Sequence, residues 1–290
     1  MKDALKFIIN IPIKIFINYT YILRLFSSKA YFYSIRKIEF LLNEKKKTIK
    51  IDNKKIHIYT PNELCEFRAD TFFSKEPETI RWIKKNGKNK ILFDIGANIG
   101  LYSIYHSVIN SSKCYAFEPS VFNLVQLTKN ININGCNDYI SVITNPLSNK
   151  NSIEIFNYSS MIEGGALSSF GVNFDYSGNE IDKKLSLNKL GFSLDELVFN
   201  SNYFIDKPNL IKIDVDGIEH LILEGATKTL KEKSCNSVLV EINDNFEEQK
   251  IKSEKILSNC GFKLEEKNQS DFTTSNLGFE RTFNQIWYKT

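Results

Sequence analysis

ILFDIGANIG at residues 91–100, followed by CYAFEPS at 114–120, decides the fold. Ile91, Leu92, Phe93 and Ile95 make a short apolar run of the kind that forms a strand buried in a parallel sheet. Asp94, Gly96, Asn98 and Gly100 cluster at its carboxyl end, where glycine lets backbone approach a ligand closely. Residues 101–110 then predict a helix, and Cys114 to Phe117 a second strand that stops at Glu118. An acid at that position accepts hydrogen bonds from the two hydroxyls of a ribose, so the unit is expected to bind a nucleoside.

The spacing of the glycines selects the nucleoside. A dinucleotide-binding turn uses three glycines as G-x-G-x-x-G, so that a pyrophosphate rests on the helix amino terminus. Here Gly96 and Gly100 stand at D-x-G-x-x-x-G spacing behind Asp94. An acid in the turn repels phosphate but suits an ammonium, and the methionine end of S-adenosylmethionine carries one. The pattern therefore favours S-adenosylmethionine over NAD, with Asp94, Gly96, Asn98 and Gly100 around the methionine moiety and Glu118 on the ribose. Asn145, in Asn145-Pro146-Leu147, is the nearest polar candidate for the adenine. A tight strand-to-helix turn with no ligand is the plainer alternative, and Glu118 at the end of the next strand argues against it.

Around this unit the sequence alternates. Strands are expected near 91–95, 113–117, 139–144, 209–213, 236–242 and 284–289, with helices near 98–109, 120–133, 218–231 and 246–259. Ile51, Ile56 and Ile58, spaced by charged residues, predict a hairpin over 49–59 turning at Asp52-Asn53. Glu76-Pro77-Glu78-Thr79 can open a helix, because proline suits the first turn. Residues 151–208 break the alternation and read as an insertion between the third and fourth strands, beside the ligand crevice. Residues 1–60 read as an amino-terminal helical extension with the hairpin, and 61–290 as the main domain.

These motifs resemble the FkbM family of class I methyltransferases, from about Phe67 to about Tyr288. The resemblance is carried by FDIGANIGLYS at 93–103, FEPS at 117–120, NININGCND at 130–138, SLDEL at 193–197, IKIDVDGIEHLILEGA at 211–226 and VLVEIN at 238–243. Members usually read D-V-E-G-H-E where this chain has Asp214, Val215, Asp216, Gly217, Ile218 and Glu219. Glutamate has become aspartate, and the family's histidine has no counterpart at Ile218. The resemblance implies an α/β fold, a doubly wound, mostly parallel seven-stranded sheet, and methyl transfer to a hydroxyl of a sugar, glycan or small hydroxylated metabolite.

Transfer of a methyl group from a sulfonium requires alignment of a nucleophilic oxygen and removal of its proton. Asp214 ends the fourth strand, Asp216 and Glu219 follow it, and Glu241 ends the fifth. Parallel neighbours bring such carboxylates to one crevice, where clustering raises a pKa toward that of a general base. Asp214 is the first choice for the base, with Asp216 and Glu219 behind it. Asp214, Glu241 and Asn243 are also oxygen ligands of the type magnesium accepts, and a structural role for these acids is an equal alternative. His57, His106 and His220 read as surface or packing residues. A nicotinamide-dependent oxidoreductase would share the fold, but this turn lacks its middle glycine. An inactive nucleoside-binding module is the other rival.

Composition bounds the rest. Of 290 residues, 42% are hydrophobic and 25% charged, which is ordinary for a globular protein. A net charge of +4 with scattered lysines does not point to nucleic acid, and Glu44 to Lys50 reads as a solvated turn. Five widely spaced cysteines without a C-x-x-C pair read as reduced thiols of a cytoplasmic protein. Residues 4–26 are apolar but interrupted by Asn10, Pro12, Lys14, Asn18 and Arg24, so they read neither as a membrane span nor as an export signal. A helix packed on its own domain is expected there, with peripheral contact at the cytoplasmic membrane as the alternative.

Overall fold

The computed structural model describes residues 2–269 and 281–290. It opens with helices α1 (Lys2–Phe26) and α2 (Ser28–Asn43), followed by the hairpin β1 (Lys46–Ile51) and β2 (Lys54–Tyr59) and helices α3 (Glu63–Asp70) and α4 (Pro77–Asn86). The alternating part comprises β3 (Leu92–Ile95), α5 (Leu101–Asn110), β4 (Cys114–Phe117), α6 (Val121–Ile133) and β5 (Ile140–Ile143). The insertion holds β6 (Leu147–Ser148), β7 (Ser152–Tyr158), β8 (Ser169–Phe170), β9 (Leu185–Ser193) and α7 (Leu194–Phe199). Then come β10 (Leu210–Ile213), α8 (Glu219–Glu224), α9 (Thr227–Lys231), β11 (Ser237–Asn243), α10 (Glu247–Asn259), β12 (Phe262–Asn268) and β13 (Thr282–Lys289).

Among the described residues the main sheet has seven strands, in the order β12-β13-β11-β10-β3-β4-β5. The five from β11 to β5 are parallel, and β13 runs antiparallel to both β11 and β12. Chain order reverses between β3 and β10, and at that point the carboxyl ends of the strands open a crevice. The apolar runs are continuous because both faces are covered. Phe93, Ile95, Ile211, Ile213, Val238 and Val240 face α7 to α10 and the insertion, whereas Leu92, Leu210, Leu239 and Ile286 face Trp82 and Ile83 of α4, Tyr105 of α5 and Leu127 of α6. Asp94 and Lys212 are register partners with the parity of the second face, so two buried ionisable side chains lie under the crevice.

The hairpin forms as expected, with Asp52 at positive φ in its turn. Lys46 to Lys50, read as a solvated turn, is strand β1, and Lys45 and Lys47 pair with Glu66 and Asp70 of α3. Asn130 of α6 and Asn134, just past its end, accept the N–H groups of Tyr59 and His57 and so fasten the free edge of β2. The helix expected over 218–231 divides into α8 and α9. Asp195 accepts the N–H groups of Lys228 and Thr229, supplying an amino-terminal cap to α9 from another element. All five cysteines are free and buried, and burial raises their thiols.

The amino terminus differs from expectation in two respects. Pro12 does not interrupt α1, and Ile8–Phe26 is a 19-residue stretch of mean hydropathy 1.2, long and apolar enough to cross a bilayer. Nor is it packed on the main domain: α2 is its partner, and only 6% of that stretch is buried.

Candidate active site

Gly96 and Gly100 shape the turn after β3. Gly96 has φ +86°, and a Cβ there would stand 1.9 Å from the Asp214 carbonyl oxygen. Gly100 has φ +88° and leads into α5, where a Cβ would stand 2.5 Å from Leu127 Cδ1. Between them Asn98 also adopts positive φ, and its N–H donates to Glu118 Oε2 at 2.7 Å. Glu118 Oε1 accepts from Ser120 N–H at 2.8 Å. Two backbone donors thus orient a carboxylate that is 5% exposed, while burial pushes its pKa up to about 7.

This turn is shared by two cavities. The first, a cleft of about 630 Å³ that includes its opening to solvent, runs from Gly96, Asn98 and Glu118 past Asn145 to Asp214 and Asp216. Asn145 lines it while its Nδ2 donates to the Leu190 carbonyl. Phe156, Gly165, Ala166 and Phe170 of the insertion also line it. Residues 163–167 form a strap held by side chains of separate elements. Asn62 donates to Glu163 O, Arg68 to Gly164 O, and Asn98 and Asn123 to Gly165 O, while Asp216 accepts the Leu167 N–H at 2.7 Å. Sequence reading placed the insertion beside the crevice but missed this strap, because its anchors come from five distant positions.

The second cavity, about 470 Å³, shares Gly96, Asn98 and Asp214 with the first and adds Arg68, Lys75, Glu76, Tyr102 and Lys212. Lys212 is 1% exposed and donates to Asp214 Oδ2 at 2.8 Å. Burial lowers its pKa, but Asp214, Asp94 and Glu76 more than offset that and keep the ammonium charged. Burial likewise opposes ionisation of Glu76, yet Lys75 and Lys212 hold its carboxyl below the ordinary range. Glu76 also accepts the Tyr102 hydroxyl. Asp94 lines neither cavity: it lies beneath the turn and accepts the Ser103 hydroxyl at 2.6 Å, and burial raises its carboxyl despite Lys212.

Asp214, Asp216 and Glu241 have carboxylate oxygens within 4.8 Å of one another. Burial and then the Asp214 charge raise Asp216 to about 6 and Glu241 well above the ordinary range. Two residues expected here are elsewhere. Glu219 is turned inward, accepting the N–H groups of Val215 and Gly217 and the Gln249 amide, because the turn after β10 leaves its backbone donors unsatisfied otherwise. Asn243 is 3% exposed, with its side chain bonded to the Tyr176 carbonyl and the Asn245 N–H, so it does not join Asp214 and Glu241. Glu219→Ala would strand those donors, and a loss of about 2–4 kcal/mol is expected by denaturant unfolding. His106 and His220 are buried packing residues, and His57 bonds Thr48 on the hairpin.

The turn, the acid at the end of β4 and the acidic turn after β10 coincide with a described family: the FkbM methyltransferase domain matches residues 94–264, more than half of the sequence. The chain belongs to the FkbM methyltransferase family. A hexuronic acid methyltransferase, AglP of Haloferax volcanii, is 29% identical over 171 residues, covering 58% of this chain and 62% of that protein. Among solved structures, an FkbM methyltransferase from Methylobacillus flagellatus aligns with TM-score 0.45 at 14% identity, over 70% of this chain and 44% of that one. A tRNA m1G37 methyltransferase from M. jannaschii gives 0.44 at 14%, over 86% and 58%. The FkbM family is one of methyltransferases.

Proposed function

We propose that this FkbM-family protein is an S-adenosylmethionine-dependent O-methyltransferase acting on a sugar hydroxyl of a glycan or small glycoside. The observation that carries the reading is the junction of the two cavities at Gly96, Asn98 and Asp214, beside the carboxylates of Asp216 and Glu241. The site suits the donor: Asn98 Oδ1, in the turn between the two cavities, is a buried acceptor without a partner among the described residues. When bound, S-adenosylmethionine supplies an electrophilic methyl group.

Glu118 would hold the ribose, Asn145 would border the adenine, and Arg68 and Lys75 would meet the methionine carboxylate. Asp94 would act from beneath, fixing the turn through Ser103 and lending negative potential to the ammonium side. The strap 163–167 would exclude water from the nucleoside. Asp216, near neutrality and still ionisable, would take the acceptor proton, with Asp214 orienting the hydroxyl and Lys212 holding the Asp214 side chain in place. Glu219 would support the turn and take no part in proton transfer.

A sugar acceptor is supported by the hexuronic acid methyltransferase relative. The test is transfer of labelled methyl from S-adenosylmethionine to hexuronates, neutral hexosides and RNA, with the product linkage read by NMR. Methyl ethers on sugars are expected, whereas methylated RNA or no transfer overturns the reading. The acidic group does not demand a cation, because Glu241, raised well above the ordinary range, holds its proton near neutrality and the Lys75 and Lys212 ammonium groups offset the charge of its neighbours. Transfer is accordingly expected to survive millimolar EDTA. Loss restored by magnesium would instead make Asp214, Asp216 and Glu241 metal ligands.

A further inference from the structure

On α1, Ile8, Ile11, Ile15, Tyr19, Ile22 and Phe26 recur at intervals of three and four residues, the spacing of one helix face. Such a stripe normally faces a core. Here every member is exposed, from 45% for Ile11 to 84% for Phe26. The flank about 100° round from the stripe, through Phe16, Thr20 and Leu23, is the more buried one, and α2 is the helix packed against α1. At 100° per residue Lys14 leaves α1 at the edge of the stripe and Arg24 behind it. Between residues 8 and 43 there are five basic residues, Lys14, Arg24, Lys29, Arg36 and Lys37, against the single acid Glu39.

We propose that α1, braced by α2, is an amphipathic anchor that lies in the plane of an anionic lipid surface with the Ile8–Phe26 stripe in the acyl boundary. Lipid fits better than a second copy, because two copies of this hairpin would bring like charges together, whereas anionic headgroups complement them. The in-plane pose fits better than a spanning one. Lys14 would sit deep in the hydrocarbon if Ile8–Phe26 crossed it, but reaches the headgroups when the helix lies flat. The stripe is about 27 Å long at 1.5 Å per residue, a contact along the whole helix. This inference stands independently of the acceptor.

The test is co-sedimentation of the full chain with phosphatidylcholine vesicles, with and without roughly one quarter phosphatidylglycerol. Binding is expected to the anionic vesicles and to weaken at high salt. Ile15→Asp with Ile22→Asp should reduce it at least tenfold while leaving the unfolding midpoint unchanged, since both side chains are exposed. Lys14→Glu with Arg24→Glu should abolish the preference for anionic lipid. A full chain that stays in the supernatant, or an Ile15→Asp/Ile22→Asp variant that sediments like the wild type, overturns the proposal. Absence of vesicle binding together with a dimer that the same variant dissociates assigns the stripe to a second copy.

Discussion

Glu118→Ala is expected to weaken S-adenosylhomocysteine binding at least a hundredfold, measured by titration calorimetry. Two ribose hydroxyls bonded to an ionised, oriented acceptor contribute about 3 kcal/mol or more together. The alanine also releases the Asn98 and Ser120 N–H groups that shape the turn. The carboxyl, raised to about 7 by burial, gives the prediction a pH dependence. Only the ionised form accepts both hydroxyls, so wild-type affinity should fall roughly tenfold from pH 8 to pH 6. Stability of the free protein moves the other way. A raised acid favours the protonated folded state, a contribution present below the ordinary carboxyl value and lost as pH rises through about 7. Thermal stabilisation by ligand should therefore be larger at pH 8 than at pH 6. Glu118→Gln should bind with intermediate affinity and show no such slope. A wild-type affinity flat over this range would separate Glu118 from the ribose.

The parts of the molecule legible in the sequence are those written by local pattern. The five parallel strands could be read because burial on both faces makes their runs continuously apolar, and the turn because Gly96 and Gly100 answer a local backbone need. Strand β12 escaped, since a sheet edge carries charged residues such as Lys263, Glu265 and Glu266 and has little apolar periodicity. The acids after β10 were recognisable as a group but not by role. Nothing local distinguishes Asp216, which remains at the crevice, from Glu219, three residues on, which folds back to satisfy its own turn. That difference depends on Gln249 of α10, a partner thirty residues away. The placement of Asn243 was hidden for the same reason, because its partner Tyr176 belongs to the insertion. On α1 the interruptions were visible, but whether the stripe meets a core is a property of the whole fold.

Asp216→Asn is expected to lower turnover about 10²- to 10⁴-fold, the usual contribution of a positioned general base, with little change in donor affinity. Asparagine is the discriminating replacement because its carbonyl can still accept the Leu167 N–H that holds the strap, so a loss of rate reports proton transfer and not strap release. The wild-type rate should fall as pH drops through about 6, where Asp216 takes up its proton, and the variant should lack that limb. Asp214→Asn is the contrasting case. It removes the partner 2.8 Å from a buried Lys212 ammonium, so stability should fall along with rate. If Asp216→Asn keeps the acid limb while Asp214→Asn loses it, the proton goes to Asp214 and the sequence-based first choice is restored. If neither variant slows the reaction, the acceptor hydroxyl lies away from this group of carboxylates, and the assignment of the base to it fails.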